Sequence, residues 1–329
     1  MMLNVLFLSK GSHSASTRYR ALQYFPLLEA AGFRPTHLPI AGGLTNHIRA
    51  LRAARQADIV VVLRRTPPPP LLHLLRRQAR KLVFDFDDAI FCNSDGSPSP
   101  TREKRFRAIV QAADHVLAGN QFLAEAARTT NSATTILPTS LDVERYRYDL
   151  TKPTQRFDIV WIGSSSTRKY LEHALPALRL AALSVPALRL RIVADFDLPH
   201  SGIDIEPIRW SMDSEISALG SAHAGIAPML DDNWTRGKCA LKVLQYMAAG
   251  LPVVSSRTGT NAEIIRHGET GFLVDTPEQW RDAITSLAAS SELRSRMGRS
   301  ARQQVRTEYS TSAVSQRLIA ALSSLDCRA

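Results

Sequence analysis

Cysteine is scarce in this chain: Cys92, Cys239 and Cys327 are its three copies in 329 residues. They lie far apart, are odd in number and lack metal-ligand spacing. That argues against a disulfide framework or a zinc site and favours a reducing compartment. Aromatic residues make up only 7%, and no recognition motif accompanies the positive charge, so a nucleic-acid partner is not expected. No run approaches the roughly 18 apolar residues of a membrane span. The opening MMLNVLFLSKG has no basic leading region and reads as a first β-strand rather than an export signal, which points to a cytoplasmic protein.

Acidic residues also fall short, leaving a formal net charge of +11. The imbalance is uneven, with 20 Lys+Arg against 12 Asp+Glu in residues 1–150 and near balance afterwards. Much of the excess lies in HIRALRAARQ and RRTPPPPLLHLLRRQARK. In the second stretch Leu71, Leu72, Leu74 and Leu75 precede Arg76, Arg77, Arg80 and Lys81, a short basic amphipathic helix. Two readings stay open: a core-facing leucine stripe with a solvated basic face, or peripheral contact with an anionic bilayer.

What is present fits an ordinary globular protein, with 44% hydrophobic and 22% charged residues. A chain this long exceeds one hydrophobic core, so two α/β domains are expected. Strand-like runs at Asn4–Ser9, Asp58–Leu63, Lys81–Phe86, His115–Ala118 and Thr135–Leu137 alternate with helical stretches such as Arg18–Ala31, His47–Arg55 and Phe122–Thr129. After a polar linker at Asp149–Arg156, a second series runs through FDIVWIG, LRLRIVADF, AGIAPML, LPVVSS and TGFLV. Such alternation builds doubly wound parallel sheets, whose ligands bind beyond the carboxyl ends of the strands. The expectation is two Rossmann-like domains, residues 1–150 and 151–308, facing across a cleft and followed by a terminal segment at 309–329.

The densest stretch is DDNWTRGKCALKVLQYMAAGLPVVSSRTGTNAEIIRHGETGFLV, from Asp231 to Val274. Gly237 precedes a predicted helix on which Lys238, Lys242 and Gln245 share one face at i, i+4 and i+7. A lysine beside unpaired N–H groups and a positive dipole end suits a phosphate, and the same residues also read as a basic surface helix. Asn261 is placed to cap a further short helix.

The run QYMAAGLPVV, followed by GTNAEII and HGETGFLV, resembles the signature of retaining glycosyltransferases of family 4, group 1 enzymes with the GT-B fold. ILPTSLDVERY resembles the family segment that closes the first domain, and VWIGSSSTRKYLEHALPAL the one that opens the second. The tail RTEYSTSAVSQRLIAAL is similar to the family's terminal crossing helix. By this resemblance residues 1–150 take an acceptor, residues 151–308 a nucleotide sugar, and the terminal helix at 309–329 returns to the first domain. The resemblance implies a nucleotide-diphosphate sugar donor held by Gly163, Ser164, Arg168, Lys169, Gly237, Lys238, Cys239, Lys242, Gln245, Asn261 and Glu263. Lys169 and Lys238 would neutralise the leaving diphosphate. It implies retention without a covalent enzyme nucleophile, no metal and no cofactor, and a glycan, lipid-linked or small-molecule acceptor in polysaccharide biosynthesis.

Departures from the family pattern are equally legible. The two family glutamates fall on Gly237 and Gln245, the family arginine on Ser164, and the family His-Asp on Asp87-Asp88. With its Gly-Lys-Cys…Gln-Tyr-Met-Ala order the chain looks like a subgroup. Gln245 keeps hydrogen-bonding capacity toward ribose, and its change to glutamate is expected to be tolerated. Asp87 and Asp88 admit three readings: sugar or acceptor contacts near the reaction centre, a structural role, or a divalent-metal site. In the first loop Gly11 and Ser12 replace a glycine pair, with Arg18 and Arg20 either meeting phosphate or simply exposed. The alternatives to transfer are a non-catalytic nucleotide-sugar binder and a sugar-nucleotide epimerase of the same fold.

Overall fold

The computed structural model describes residues 2–40, 43–146, 152–198 and 202–325. The expected boundary at 150/151, the start of the expected linker and Cys327 lie outside the described residues. Contacts divide the chain into two compact units. The first comprises Met1–Ser140, Asp232–Cys239 and Thr311–Ala329, and the second Leu141–Asp231 and Ala240–Ser310. The passage of Asp232–Cys239 into the first unit has no counterpart in a single cut near residue 150.

In the first unit β1 (Leu3–Ser9), β2 (Phe33–Pro39), β3 (Ile59–Leu63), β4 (Lys81–Phe86), β5 (His115–Ala118) and β6 (Thr134–Ile136) form a parallel sheet in the order β2-β1-β3-β4-β5-β6. In the second, β7 (Phe157–Ile162), β8 (Leu188–Ala194), β9 (Asp204–Arg209), β10 (Ala224–Ala227), β11 (Val253–Ser256) and β12 (Gly271–Val274) run in the order β12-β11-β10-β7-β8-β9. The strand order reverses beside β1 and β3 in the first sheet, and beside β7 and β10 in the second. Those are the switch points where open α/β sheets bind ligands.

Central strands are buried along their whole length, as in Ile59–Leu63 and Phe157–Ile162. This is why they read as continuous apolar runs. The strands absent from the sequence reading, β2 and β9, are both edges. Their sequences FRPTHLP and DIEPIR carry proline and polar residues, β2 alternating between buried and exposed positions at its start and β9 having only half-buried and exposed ones, which a sheet interior would not tolerate. The helix expected at Arg18–Ala31 is three pieces, Ala15–Arg20, the 3-10 turn Leu22–Tyr24 and Phe25–Ala30. Ala21 leaves helical geometry and Pro26 starts a new first turn. Val314, Leu318 and Leu322 of the helix Thr311–Ser323 join the cluster of Val5, Tyr24 and Leu28 within the first unit.

Candidate active site

Three strand ends of the first sheet carry its chemistry. After β1 the chain turns at Gly11, whose φ of 143° suits glycine. After β3 comes Arg64, held at φ 52° while its N–H donates to the Asp85 carbonyl at 2.8 Å. A left-handed arginine costs about 1–2 kcal/mol, and the ion pairs of its side chain hold it there. After β4 come Asp87 and Asp88. Arg64 Nε lies 3.2 Å from Asp87 Oδ1, and its Nη2 donates to Asp88 Oδ2.

The segment Asp232–Cys239 completes this cluster. Asp232 caps the short helix Asn233–Arg236, with its carboxylate accepting from Thr235 N at 2.7 Å. Asn120 Nδ2 donates to the Arg236 and Lys238 carbonyls. Gly237 has ordinary backbone geometry, φ −77°. It is glycine because of space: a Cβ there would lie 2.6 Å from Ala89 Cβ and 2.7 Å from Ala89 N. Lys238 Nζ then reaches Asp88 Oδ1 at 2.8 Å and stands 4.2 Å from the Trp234 ring centroid.

Behind the pair, fully buried Arg20 grips buried Asp85, its Nε on Oδ1 at 2.9 Å and Nη2 on Oδ2 at 2.6 Å. Burial by itself lowers the guanidinium pKa, and the Asp85 charge more than reverses this, so Arg20 stays cationic. Arg20 is therefore no solvent-facing phosphate ligand. Burial first, and the Asp87 charge second, lift the Asp88 carboxyl above its ordinary pKa against the pull of Lys238 and Arg64. Cys239 is a core residue rather than an open donor contact. Burial and Asp87 push its thiol well above the usual range, and its Sγ donates to the Asp87 carbonyl at 3.3 Å. Ser12 is exposed, whereas Arg18 is half-buried with its Nε atom enclosed and unpaired among the described residues.

The helix expected after Gly237 begins three residues later than a capping lysine requires. It spans Leu241–Ala248, and Ala240 precedes it at φ 52°. Lys238 is thus neither on that helix nor in the same unit as Lys242 and Gln245. Tyr246 fixes the helix to β7, its hydroxyl accepting from Ile162 N at 2.8 Å, and Gly225 leaves room for its ring. Lys242 Nζ stands 4.5 Å from the Trp161 ring centroid. Gly163 lies against the same ring, where any Cβ would clash. Ser164 caps the turn Ser165–Thr167, which leads into the helix Arg168–Ser184. Lys169 is exposed, while Arg168 pairs with Glu172 at 2.7 Å and lies 5.3 Å from the Phe196 ring.

Gln245 does not open to solvent. It is 5% exposed, and its Nε2 donates to Glu215 Oε1 at 2.6 Å and to the Tyr146 hydroxyl at 3.1 Å. Asn261 caps nothing: it sits inside the helix Gly259–Ile264, buried, with Nδ2 donating to Ser255 Oγ at 3.0 Å. Glu263 is exposed on that helix.

Residues 156–290 match the model of the family described as Glycosyl transferases group 1. Anabaena HepE in complex with UDP and glucose is similar over 98% of this chain and 100% of its own, with TM-score 0.72 and 15% identity. Sucrose-phosphate synthase from Thermosynechococcus elongatus gives 0.77 and 15% over 98% and 99%. The chain has the GT-B fold. Curated relatives match over shorter stretches. Spore coat protein SA of Bacillus subtilis (strain 168) is 34% identical over 78 residues, and D-inositol 3-phosphate glycosyltransferase of Corynebacterium glutamicum (strain R) 39% over 69. Those stretches are 23% and 20% of this chain but only 21% and 16% of the relatives' lengths.

Within this GT-B chain, the sequence reading missed Arg64, Trp234, Trp161 and Glu215. A charged residue directly after the apolar run IVVVL was the available signal for Arg64. The other three show themselves only by what packs against them. In the basic stretch, Leu72 and Leu75 are buried while Leu74 is 47% exposed, and Arg76 and Arg80 pair with Asp114 and Asp58. No helix among the described residues is long and apolar enough to cross a membrane.

Proposed function

We propose that the protein transfers a sugar from a nucleotide-diphosphate sugar to an acceptor hydroxyl, with retention of anomeric configuration and without a metal ion. The supporting observation is the switch point of the second sheet, inside the segment that matches the group 1 family. There Gly163 follows β7 with the Trp161 ring filling the place of a side chain, Lys242 stands beside that ring, and a 17-residue helix begins at Arg168 and Lys169. Backbone N–H groups, a helix dipole and two ammonium groups suit a diphosphate. In this reading Lys169 and Lys242 bind the diphosphate, and Asp87, Asp88 and Lys238 act on the acceptor hydroxyl. Charge built on the departing diphosphate is stabilised by cations already in position. No residue acts as a covalent nucleophile.

A thermal-shift panel of UDP, GDP, ADP and TDP, each with and without its sugar, tests the donor site. A ligand bound only by the folded state stabilises it by about 2.7 kcal/mol at a hundredfold excess over its Kd. One nucleotide should stand out, and Lys242→Ala should abolish its shift. If none shifts the protein, the donor assignment fails. Retention is read from the anomeric proton coupling of the product. Cytoplasmic placement and peripheral docking on an anionic bilayer belong to the same proposal, supported by exposed Leu74 beside exposed Arg77. Docking requires co-sedimentation with acidic vesicles that weakens as salt rises.

A further inference from the structure

Beside Arg64 the first unit carries a solvent-open pocket of about 620 Å³, within the size range of small-molecule sites. Among the described residues no acidic side chain lines it, whereas Arg64, Arg65, Arg102 and Arg105 all do. Arg64 is committed to Asp87 and Asp88. Arg65, Arg102 and Arg105 are exposed, and none of the three has an ion pair among the described residues. Two helices also begin at its wall. Pro100–Ala112 starts after Ser99 and Pro69–Gln78 after Pro68, and neither has a side-chain cap. Proline at the first position of both helices, and at the second of Pro69–Gln78, removes first-turn N–H donors, so the helices add chiefly their positive dipole ends to the field of the arginines.

We propose that this cavity binds a phosphoryl group and that the acceptor is a phosphorylated compound anchored there. The identification as an acceptor rests on the glycosyltransferase reading; the anion site does not. Three unpaired guanidiniums and two helix starts supply more positive charge than one carboxylate would balance. Their planar forks match the paired oxygens of a phosphate or diphosphate. Arg64 lies both on the cavity wall and against the carboxylate pair. An acceptor held by its phosphate would therefore extend toward Asp87 and Asp88, where a hydroxyl can meet a carboxylate. The same chemistry is offered by a soluble sugar phosphate and by a lipid-linked phosphate.

The test measures inorganic pyrophosphate binding by calorimetry while the best-binding nucleoside diphosphate is present in excess, so that the donor site is filled. The wild type should bind pyrophosphate under these conditions. The triple variant Arg65→Ala/Arg102→Ala/Arg105→Ala should bind it at least about tenfold more weakly, since three charged hydrogen-bond donors are lost. The variant's affinity for the nucleoside diphosphate should be unchanged, which also reports that it folds. Equal pyrophosphate affinity in both proteins, or its complete displacement by the nucleotide, overturns the site. If no nucleotide binds, the donor reading fails, and pyrophosphate is titrated alone against the same pair of proteins.

Competition then separates the sources. A soluble sugar phosphate displacing pyrophosphate, with its dephosphorylated sugar inert, identifies a soluble acceptor. A polyisoprenyl phosphate in phosphatidylcholine vesicles displacing it identifies a lipid-linked one. Displacement by neither overturns the acceptor assignment.

Discussion

Lys238 Nζ lies 2.8 Å from Asp88 Oδ1, joining residues 150 positions apart within one compact unit. With Arg64 on its other oxygen, Asp88 is a buried carboxylate held between two cations. A carboxylate so placed keeps one orientation and one hydrogen-bonding pattern, which is what a group acting on an acceptor hydroxyl requires.

Lys238→Ala should therefore lower kcat/KM by about 2–4 kcal/mol, the scale of one preorganised charged contact. At about 1.4 kcal/mol per decade that is roughly 30- to 1000-fold. Lys238 opposes the upward displacement of the Asp88 pKa. Its loss moves that pKa further up, so the acid limb of the pH–rate profile should shift to higher pH. Lys238→Arg should recover part of both effects. A folded alanine variant with full activity and an unmoved profile would remove Lys238 from the mechanism.

Gly237 is a matter of room. A methyl group there meets Ala89, the residue after the carboxylate pair, so Gly237→Ala should destabilise by about 1–3 kcal/mol through overpacking. Gly237→Glu, which restores the commoner family residue, should cost more. Urea midpoints of the three proteins decide this, and an unchanged midpoint in the glutamate variant refutes the steric account.

Gln245 donates its amide to a buried carboxylate, and this reverses the tolerance expected for Gln245→Glu. The change would set two carboxylates against each other, one of which must take up a proton. A loss of about 1–3 kcal/mol is expected at neutral pH, shrinking as the pH falls and one carboxyl becomes a donor. The exchanged pair Glu215→Gln/Gln245→Glu should recover most of the stability. Thermal melts of the two single variants and the exchange form the test.

His223 supplies a pH dependence. Its Nδ1 accepts from Asp158 N at 2.9 Å and its Nε2 donates to the Pro153 carbonyl at 3.1 Å, so the ring is neutral. Burial, then the Arg294 and Lys152 charges, lower its pKa. The unfolded chain thus takes up the proton first as pH falls. The contribution is present above the unfolded value of about 6.5 and is lost as the pH drops toward the folded one. Wild type should lose more stability than His223→Gln between about pH 8 and 5.5. Parallel losses in the two proteins would show that other groups titrate there.

Each carboxylate of the Asp87-Asp88 pair already faces a protein cation. Transfer should survive excess EDTA within a factor of about two, because no divalent ion is asked to stabilise charge. Loss on chelation, with recovery on adding magnesium or manganese, would make the pair a metal site.

The central strands were legible because burial on both faces leaves an apolar signature in consecutive residues. The edge strands β2 and β9 were not, since an edge accepts the prolines and polar residues that also mark loops. Apolar periodicity likewise made the helix Leu241–Ala248 legible, whereas Gly163, Lys169 and the QYMAAGLPVV run stood out by their resemblance to the family. Only tertiary structure decided the rest. Three-dimensional packing carries Asp232–Cys239 into the first unit, where Lys238 meets Asp88 and Gly237 has no room for a side chain. It also buries Gln245 against Glu215 and sets Arg64 between a cavity and two carboxylates. Charge pairing and steric exclusion act across space between residues far apart in the chain, and neither leaves a periodic trace in the order of the residues.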